Sequence, residues 1–308
     1  MKKIALGVFS VFLLNIQGLP QDSQPQAPED LRPTASLSVN VDLVELHVTV
    51  TDLQGRPFGG LQQENFRVTE NNIDQPISVF KHEDIPVSLG LVLDNSRSIE
   101  PRKERLDAAA LSFVQKSNSE DETFIVHFDG EARLTQEFTQ DHGVLDARLR
   151  AATPFGQTAV YDGIMLALDT MSKAQYTKKA LLLVTDGIDN SSKASFDELL
   201  DRVKRERVMI FTIGLLSQSG GIQAEESLIR IADTSGGRAY FPQTPEEARA
   251  LMELIARDLR EQYTLAYLPT NRLRNGTWRS VRVEVTPPKG FLGKLTTNYR
   301  HGYYAPDR

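Results

Sequence analysis

The sequence contains no cysteine and a single tryptophan, and its five histidines (His47, His82, His127, His142 and His301) include no HxxxH pair. The missing thiol excludes disulfide scaffolds, thiolate zinc sites, iron–sulfur clusters, thiol nucleophiles and a lipidated N-terminal cysteine. Any metal chemistry must therefore use oxygen or imidazole. Basic charge is also in deficit: 35 Lys and Arg against 41 Asp and Glu leave a net charge of -6. The chain thus lacks the basic surface that non-specific nucleic-acid binding needs. GxxxxGK[ST], GxSxG, HExxH and a GxGxxG after a strand are all missing, so no common phosphate-binding, hydrolase or dinucleotide signature is present. Apolar runs are short, and none reaches the ~20 residues that a bilayer crossing takes.

What is present is ordinary for a globular protein: 308 residues, 40% hydrophobic and 25% charged, enough chain for about two domains. Lys2 and Lys3 precede an apolar stretch of 11 residues, Ile4 to Leu14, with Asn15, Gln17, Gly18 and Pro20 beyond it. A basic start, a short apolar core and a polar exit predict a secretory signal peptide over residues 1–20, and hence a protein working in the periplasm, at the cell surface or outside the cell. Residues 21–35, rich in Pro, Gln and acid, read as a linker.

From residue 36 the apolar positions alternate up to Thr51, which predicts a long half-buried strand, and shorter strand patterns follow at 66–68 and 77–80. The pattern changes near Val87. Leu89-Gly90-Leu91-Val92-Leu93 and Ala180-Leu181-Leu182-Leu183-Val184 are continuous apolar runs, as expected of strands buried on both faces of a parallel sheet. Strand patterns at 124–128 and 208–214, and a short one at 239–241, alternate with helical ones at 101–118, 145–152, 160–171, 196–205, 227–233 and 245–261. Strands alternating with helices predict an α/β, doubly wound, Rossmann-like domain over residues 85–262. The flanks, 36–84 and 263–308, each offer about three strands, too few to stand alone. They are expected to pair into one small all-β, sandwich-like domain with the α/β domain inserted between them.

Three segments within the α/β region carry chemistry. Asp94-Asn95-Ser96-Arg97-Ser98 follows one buried strand, Thr185-Asp186-Gly187 ends another, and Gly156-Gln157-Thr158-Ala159 precedes a helix. All fall at the edge of the sheet where doubly wound folds bind ligands. They offer two carboxylates and hydroxyls, with no imidazole or thiol. Hard oxygens of modest charge suit Mg²⁺ or Mn²⁺, and Ca²⁺ less well at so small a site. In Asp94-x-Ser96-x-Ser98, alternate residues of an extended loop point the same way, putting a carboxylate and two hydroxyls on one ion.

This set resembles the metal-ion-dependent adhesion site (MIDAS) of von Willebrand factor A domains: Asp94-x-Ser96-x-Ser98, then Thr158, then Asp186, in order across roughly residues 85–262. The resemblance implies direct coordination by Ser96, Ser98 and usually Thr158, with Asp94 and Asp186 often acting through water. It further implies a protein partner whose Asp or Glu completes the ion's shell. One departure is Arg97, where the family often has Gly; it either weakens the metal or points outward toward an acidic ligand. The flanks are similar to an acidobacterial von Willebrand A-related family, on Thr51-Asp52-Leu53-Gln54-Gly55-Arg56-Pro57, Phe66-Arg67-Val68 and the closing Gly302-Tyr303-Tyr304-Ala305-Pro306.

Plainer readings stand beside these. Asp94, Ser96 and Ser98 also read as an N-cap cluster for the following helix. Asp189 reads as an exposed loop carboxylate, Asp129-Gly130 as a turn only, and Tyr299, Tyr303 and Tyr304 as sheet packing rather than a recognition patch. Arg202, Lys204, Arg205 and Arg207 read as a solvated helix face. Glu70 and Asp74 form no obvious acid/base pair. The expectation is a binding module rather than an enzyme. The alternatives are a scaffold in which the metal only fastens loops, and, less well supported, a metal-dependent hydrolase.

Overall fold

A computed structural model describes residues 43–116, 118–186, 189–215 and 221–307. The expected signal segment, the linker and the first part of the long N-terminal strand lie outside the described residues.

The N-terminal flank forms four strands: β1 (Val44–Thr51), β2 (Phe66–Glu70), β3 (Ile73–Gln75) and β4 (Ile77–Lys81). In β1 the period-two apolar set Val44, Leu46, Val48 and Val50 is buried. The chain then enters β5 (Ser88–Asp94), buried at every position. A 3-10 turn over Arg97–Arg102 leads into α1 (Lys103–Lys116). The helix thus starts two residues later than its apolar spacing predicts, after a 3-10 turn that contains Pro101.

The order continues through β6 (Glu122–Phe128), β7 (Ala132–Thr139), α2 (His142–Ala151), α3 (Val160–Met171), β8 (Lys179–Thr185), α4 (Phe196–Arg205), β9 (Met209–Gly214), α5 (Gly221–Ser235), β10 (Ala239–Tyr240) and α6 (Pro245–Arg260). Caps set several helix starts. Asp141 accepts the amides of Gly143 and Val144 at α2, Ser195 and Glu198 form a capping box at α4, and Thr244 followed by a proline opens α6. Four strands follow: β11 (Tyr263–Tyr267), β12 (Trp278–Val285), β13 (Thr296–Asn298) and β14 (Gly302–Tyr304).

The central sheet has the order β10-β9-β8-β5-β6-β7. Every pairing in it is parallel except β6 with β7. This antiparallel edge strand is absent from the sequence expectation. One face of the sheet buries Leu89, Leu91 and Leu93 against α1 and α6; the other buries Val92, Phe124 and Phe128 against α3 and α4. Gly90 faces this second side because a Cβ there would lie 2.4 Å from Leu181 Cδ2 and Phe124 Cζ.

Two further sheets, both antiparallel, mix the flanks. One has the order β13-β1-β11-β4 and the other β14-β12-β2-β3. Their apolar faces share one core, with Val44, Leu46, Val48, Tyr263, Leu265 and Tyr267 from the first and Phe66, Val68, Val281 and Val283 from the second.

Asp258, on α6, is 1% exposed. Burial pushes its carboxyl up to about 7, and Arg238, 4.0 Å away, offsets only part of that. An acid raised in the folded state contributes stability below its unfolded value, near 3.9, and loses it as the pH climbs through the raised one. Asp258→Asn should therefore gain on the wild type between pH 5 and pH 8 by roughly 2–3 kcal/mol. Urea midpoints at the two pH values measure it, and an equal difference at both would contradict it.

Candidate metal centre

β5 and β8 are neighbours at the middle of the sheet. The chain leaves β5 toward β6 on one side and leaves β8 toward β9 on the other. The crevice beyond their carboxyl ends is the topological switch point, where such sheets bind ligands. Asp94 is the last residue of β5, and Asp186 immediately follows β8.

Asp94 is fully buried. Its Oδ1 accepts the Ser96 amide at 2.8 Å and its Oδ2 accepts the Thr185 hydroxyl at 2.6 Å, tying the β5 loop to β8. Burial raises the Asp94 carboxyl above the usual range, the hydrogen bonds from Ser96 and Thr185 pull it partly back, and the charge of Asp186 adds to the rise. Next to it, three side chains form a run of oxygens. Ser96 Oγ lies 3.0 Å from Ser98 Oγ, and Ser98 Oγ donates to Asp186 Oδ1 at 2.8 Å. The other oxygen, Asp186 Oδ2, accepts Arg102 Nη1 at 2.8 Å.

Thr158 is 4% exposed. Its amide donates to Asn190 Oδ1 at 2.9 Å and its carbonyl accepts the Asn190 amide at 3.0 Å, which fixes it at the same edge. Among the described residues its side chain shares no hydrogen bond with the other four. The structure thus brings Asp94, Ser96, Ser98 and Asp186 into one cluster and carries Thr158 on the neighbouring loop, which is bonded to theirs through Asn95, Phe155, Gly156 and Arg97.

The loops are fastened to one another directly. The Asn95 amide donates to Phe128 O at 2.7 Å and Asn95 Nδ2 to Thr153 O at 2.6 Å. The amides of Phe155, Arg97 and Ala159 donate to the carbonyls of Asn95, Gly156 and Asp129 at 2.8, 3.3 and 2.7 Å. Gly156 has φ 75°, a conformation that favours glycine.

The donor set fits a small hard cation. Such an ion takes carboxylate and hydroxyl oxygens, and two side chains of each kind meet here, linked by hydrogen bonds of 3.0 and 2.8 Å along Ser96, Ser98 and Asp186. Among the described residues no group of three or more His, Cys, Asp or Glu side chains is placed to hold an ion. In the cluster described here two of the four side chains are hydroxyls, which fall outside such a group.

Two neighbours depart from the sequence reading. Asp189 is half-buried rather than a free loop carboxylate: its Oδ1 accepts the Ser192 hydroxyl and, at 3.3 Å, the Tyr161 amide at the start of α3. Asp129 is more than a turn. It is 6% exposed, its carboxylate holds Arg133 at 2.7 Å, and its carbonyl braces the residue after Thr158. Arg97 is exposed. The cation that touches the site is Arg102, which sequence reasoning missed. Its position about one turn beyond Ser98 was the available signal. Phe155 was also missed: it is 66% exposed on the loop that carries Thr158.

Residues 89–188 match the von Willebrand factor type A domain. A von Willebrand factor type A protein from Catenulispora acidiphila aligns over 87% of this chain and 75% of its own, with 12% identity and a TM-score of 0.50. A variant of the PilB minor pilin from Streptococcus sanguinis aligns over 70% of this chain and 78% of its own, with 12% identity and a TM-score of 0.51. The vWF domain of the type V pili tip protein Mfa5 from Porphyromonas gingivalis covers 56% of this chain and 95% of its own, with 16% identity and a TM-score of 0.48. No curated protein matches the chain. The central α/β sheet and its helices therefore form a von Willebrand A-type fold, to which the flanking strands add antiparallel sheets.

Proposed function

We propose that this chain is an exported protein-binding module. In this reading Ser96, Ser98 and Thr158 hold Mg²⁺ or Mn²⁺ directly, with Asp94 and Asp186 supporting it, and an Asp or Glu of a partner protein completes the ion's coordination. The observation that carries the reading is the run Ser96–Ser98–Asp186 beside buried Asp94, which gathers hydroxyl and carboxylate oxygens at the switch point of the sheet. When bound, such an ion supplies a Lewis-acidic position for a carboxylate oxygen. The chain's own residues set its charge and orient its ligands. The von Willebrand A-type fold and the minor pilin among its structural neighbours accord with an interaction role. The N-terminal signal pattern supports export, and among the described residues no helix is long and apolar enough to cross a membrane.

The scaffold alternative needs loops that a metal would hold together. These loops are already joined through Asn95, Gly156, Asn190 and Asp129. The hydrolase alternative needs a free base, and the carboxylates of the adjoining loops are engaged, Asp129 by Arg133 and Asp189 by Ser192.

Calorimetric titration of Mg²⁺ and Mn²⁺ into the full chain tests the metal, and EDTA sensitivity of captured protein partners tests the mode of binding. One-site binding and EDTA-sensitive capture are expected; capture indifferent to EDTA would overturn the reading. Phe155 stands beside the site with its ring in solvent and its backbone pinned, so a partner seated on the ion covers it. Phe155→Ser should leave the metal titration unchanged and weaken partner binding roughly tenfold, the scale of a modest interface hot spot. Surface plasmon resonance with metal present reads that difference.

A further inference from the structure

Resting on that metal reading, we infer that Arg102 is a built-in counter-cation of the site: it lowers the site's affinity for a divalent ion and raises the affinity of the loaded site for an incoming carboxylate.

The geometry divides Asp186 between two functions. Its side chain is 2% exposed, and its oxygens have different partners. Oδ1 faces Ser98 at 2.8 Å, within the hydroxyl run, while Oδ2 faces Arg102 at 2.8 Å. Arg102 therefore pairs with the carboxylate oxygen that the hydroxyl run does not use, and it neutralises the carboxylate from there.

The charge balance follows. Asp94 and Asp186 alone would present two negative charges, which a divalent ion cancels. With Arg102 paired to Asp186, a single negative charge remains, and a divalent ion leaves the site cationic. Loading becomes weaker, because a fixed cation repels an arriving one. An outside carboxylate becomes the group that restores neutrality, so it is held more tightly. The effect acts at short range on a nearly buried carboxylate, where salt screens it less than at an open surface.

The placement of Arg102 supports this role. Its side chain is 39% exposed, and of its five donors one is bound to Asp186. The remaining donors leave it able to meet a ligand oxygen. Arg102 also lines a cavity of about 200 Å³ with Leu106, Val184, Ile213, Leu215 and Met252, and its bond to Asp186 holds the head at the edge of the site. Ile99, fully buried in the 3-10 turn between Ser98 and Arg102, fixes the spacing of the two.

The test uses the full chain as wild type, Arg102→Gln and Arg102→Lys. Mn²⁺ is titrated calorimetrically with and without acetate as the carboxylate probe. Arg102→Gln should bind Mn²⁺ roughly tenfold tighter, the scale of one partly screened charge. Acetate should strengthen Mn²⁺ binding more in the wild type than in Arg102→Gln, by linkage. Arg102→Lys keeps the charge and should stay near wild type, whereas a purely structural Arg102 would suffer in both variants. Unchanged or weaker Mn²⁺ binding in Arg102→Gln overturns the inference.

A second measurement separates this failure from failure of the metal reading. Melting of Arg102→Gln, Asp186→Asn and the double variant in EDTA gives the coupling of the pair without metal. If no chain binds Mn²⁺ while the pair remains coupled, the metal reading falls, and the trade between ion and ligand falls with it. The ion pair alone then stands, as a permanent substitute for a metal.

Discussion

Asn in place of Asp94 is expected to abolish Mg²⁺ and Mn²⁺ binding without destabilising the metal-free protein. Asp94 is fully buried at the end of β5, and burial is the largest influence on its carboxyl, raising it above the ordinary range. An ionised group in that position costs folding free energy at neutral pH. Asn keeps the shape and an oxygen for the Ser96 amide, while its nitrogen faces the Thr185 hydroxyl. The charge that the ion needs is gone. Losing even an outer-shell ligand typically lowers metal affinity 10–100-fold, and this residue is also half the site's carboxylate charge. In EDTA the melting temperature of Asp94→Asn should equal or exceed that of the wild type. With saturating Mg²⁺ the wild type should gain stability by mass action and the variant should not. A variant that melts lower in EDTA would show that Asp94 serves the fold rather than the ion, and retained one-site binding would remove it from the metal centre.

That tension between charge and burial also explains what the sequence made legible. β5 and β8 are visible because a strand covered on both faces must be apolar throughout, and Leu89 to Leu93 and Ala180 to Val184 are. A polar loop directly after such a strand is conspicuous, and so Asp94, Ser96, Ser98 and Asp186 could be picked out. β7 was not visible. As an edge strand it is half-exposed along its length, and Ala132 to Thr139 lacks the alternation that marks one buried face. For Arg102 the sequence offered only its place about one turn beyond Ser98; its partner lies 84 residues away, and only the packing of β5 against β8 makes them neighbours. The same holds for Asp129, whose carbonyl meets the Thr158 loop through tertiary packing alone. Local pattern reports burial, whereas pairing between polar groups distant in the chain depends on topology.

The strongest stability effect is expected in the flanks, from a buried ion pair that no periodicity announces. Glu70 at the end of β2 and Arg279 in β12 are 2% and 3% exposed, with Arg279 Nη1 3.3 Å from Glu70 Oε1. Arg279 also donates to the carbonyls of Asn271 and Leu273. The second oxygen of Glu70 accepts Tyr267 Oη at 2.9 Å and Tyr303 Oη at 2.7 Å. Both phenols are raised above their ordinary value, first by burial and then by the adjacent Glu70, so they remain donors across the working pH range. One carboxylate thus joins β2, β11, β12 and β14, strands drawn from both flanks and both sheets. Arg279→Met leaves it desolvated without its cation and strands two backbone carbonyls. The expected loss is about 3–5 kcal/mol, as for other buried pairs broken on one side. Adding Glu70→Gln removes the uncompensated charge and should return a large part of that loss, although neither change restores the bonds to Asn271 and Leu273. Urea unfolding of the two single variants and the double variant, analysed as a cycle, reads the coupling. Additive losses would mean that the two side chains stabilise the flanks separately, through packing and the arginine's backbone contacts, and not as a pair.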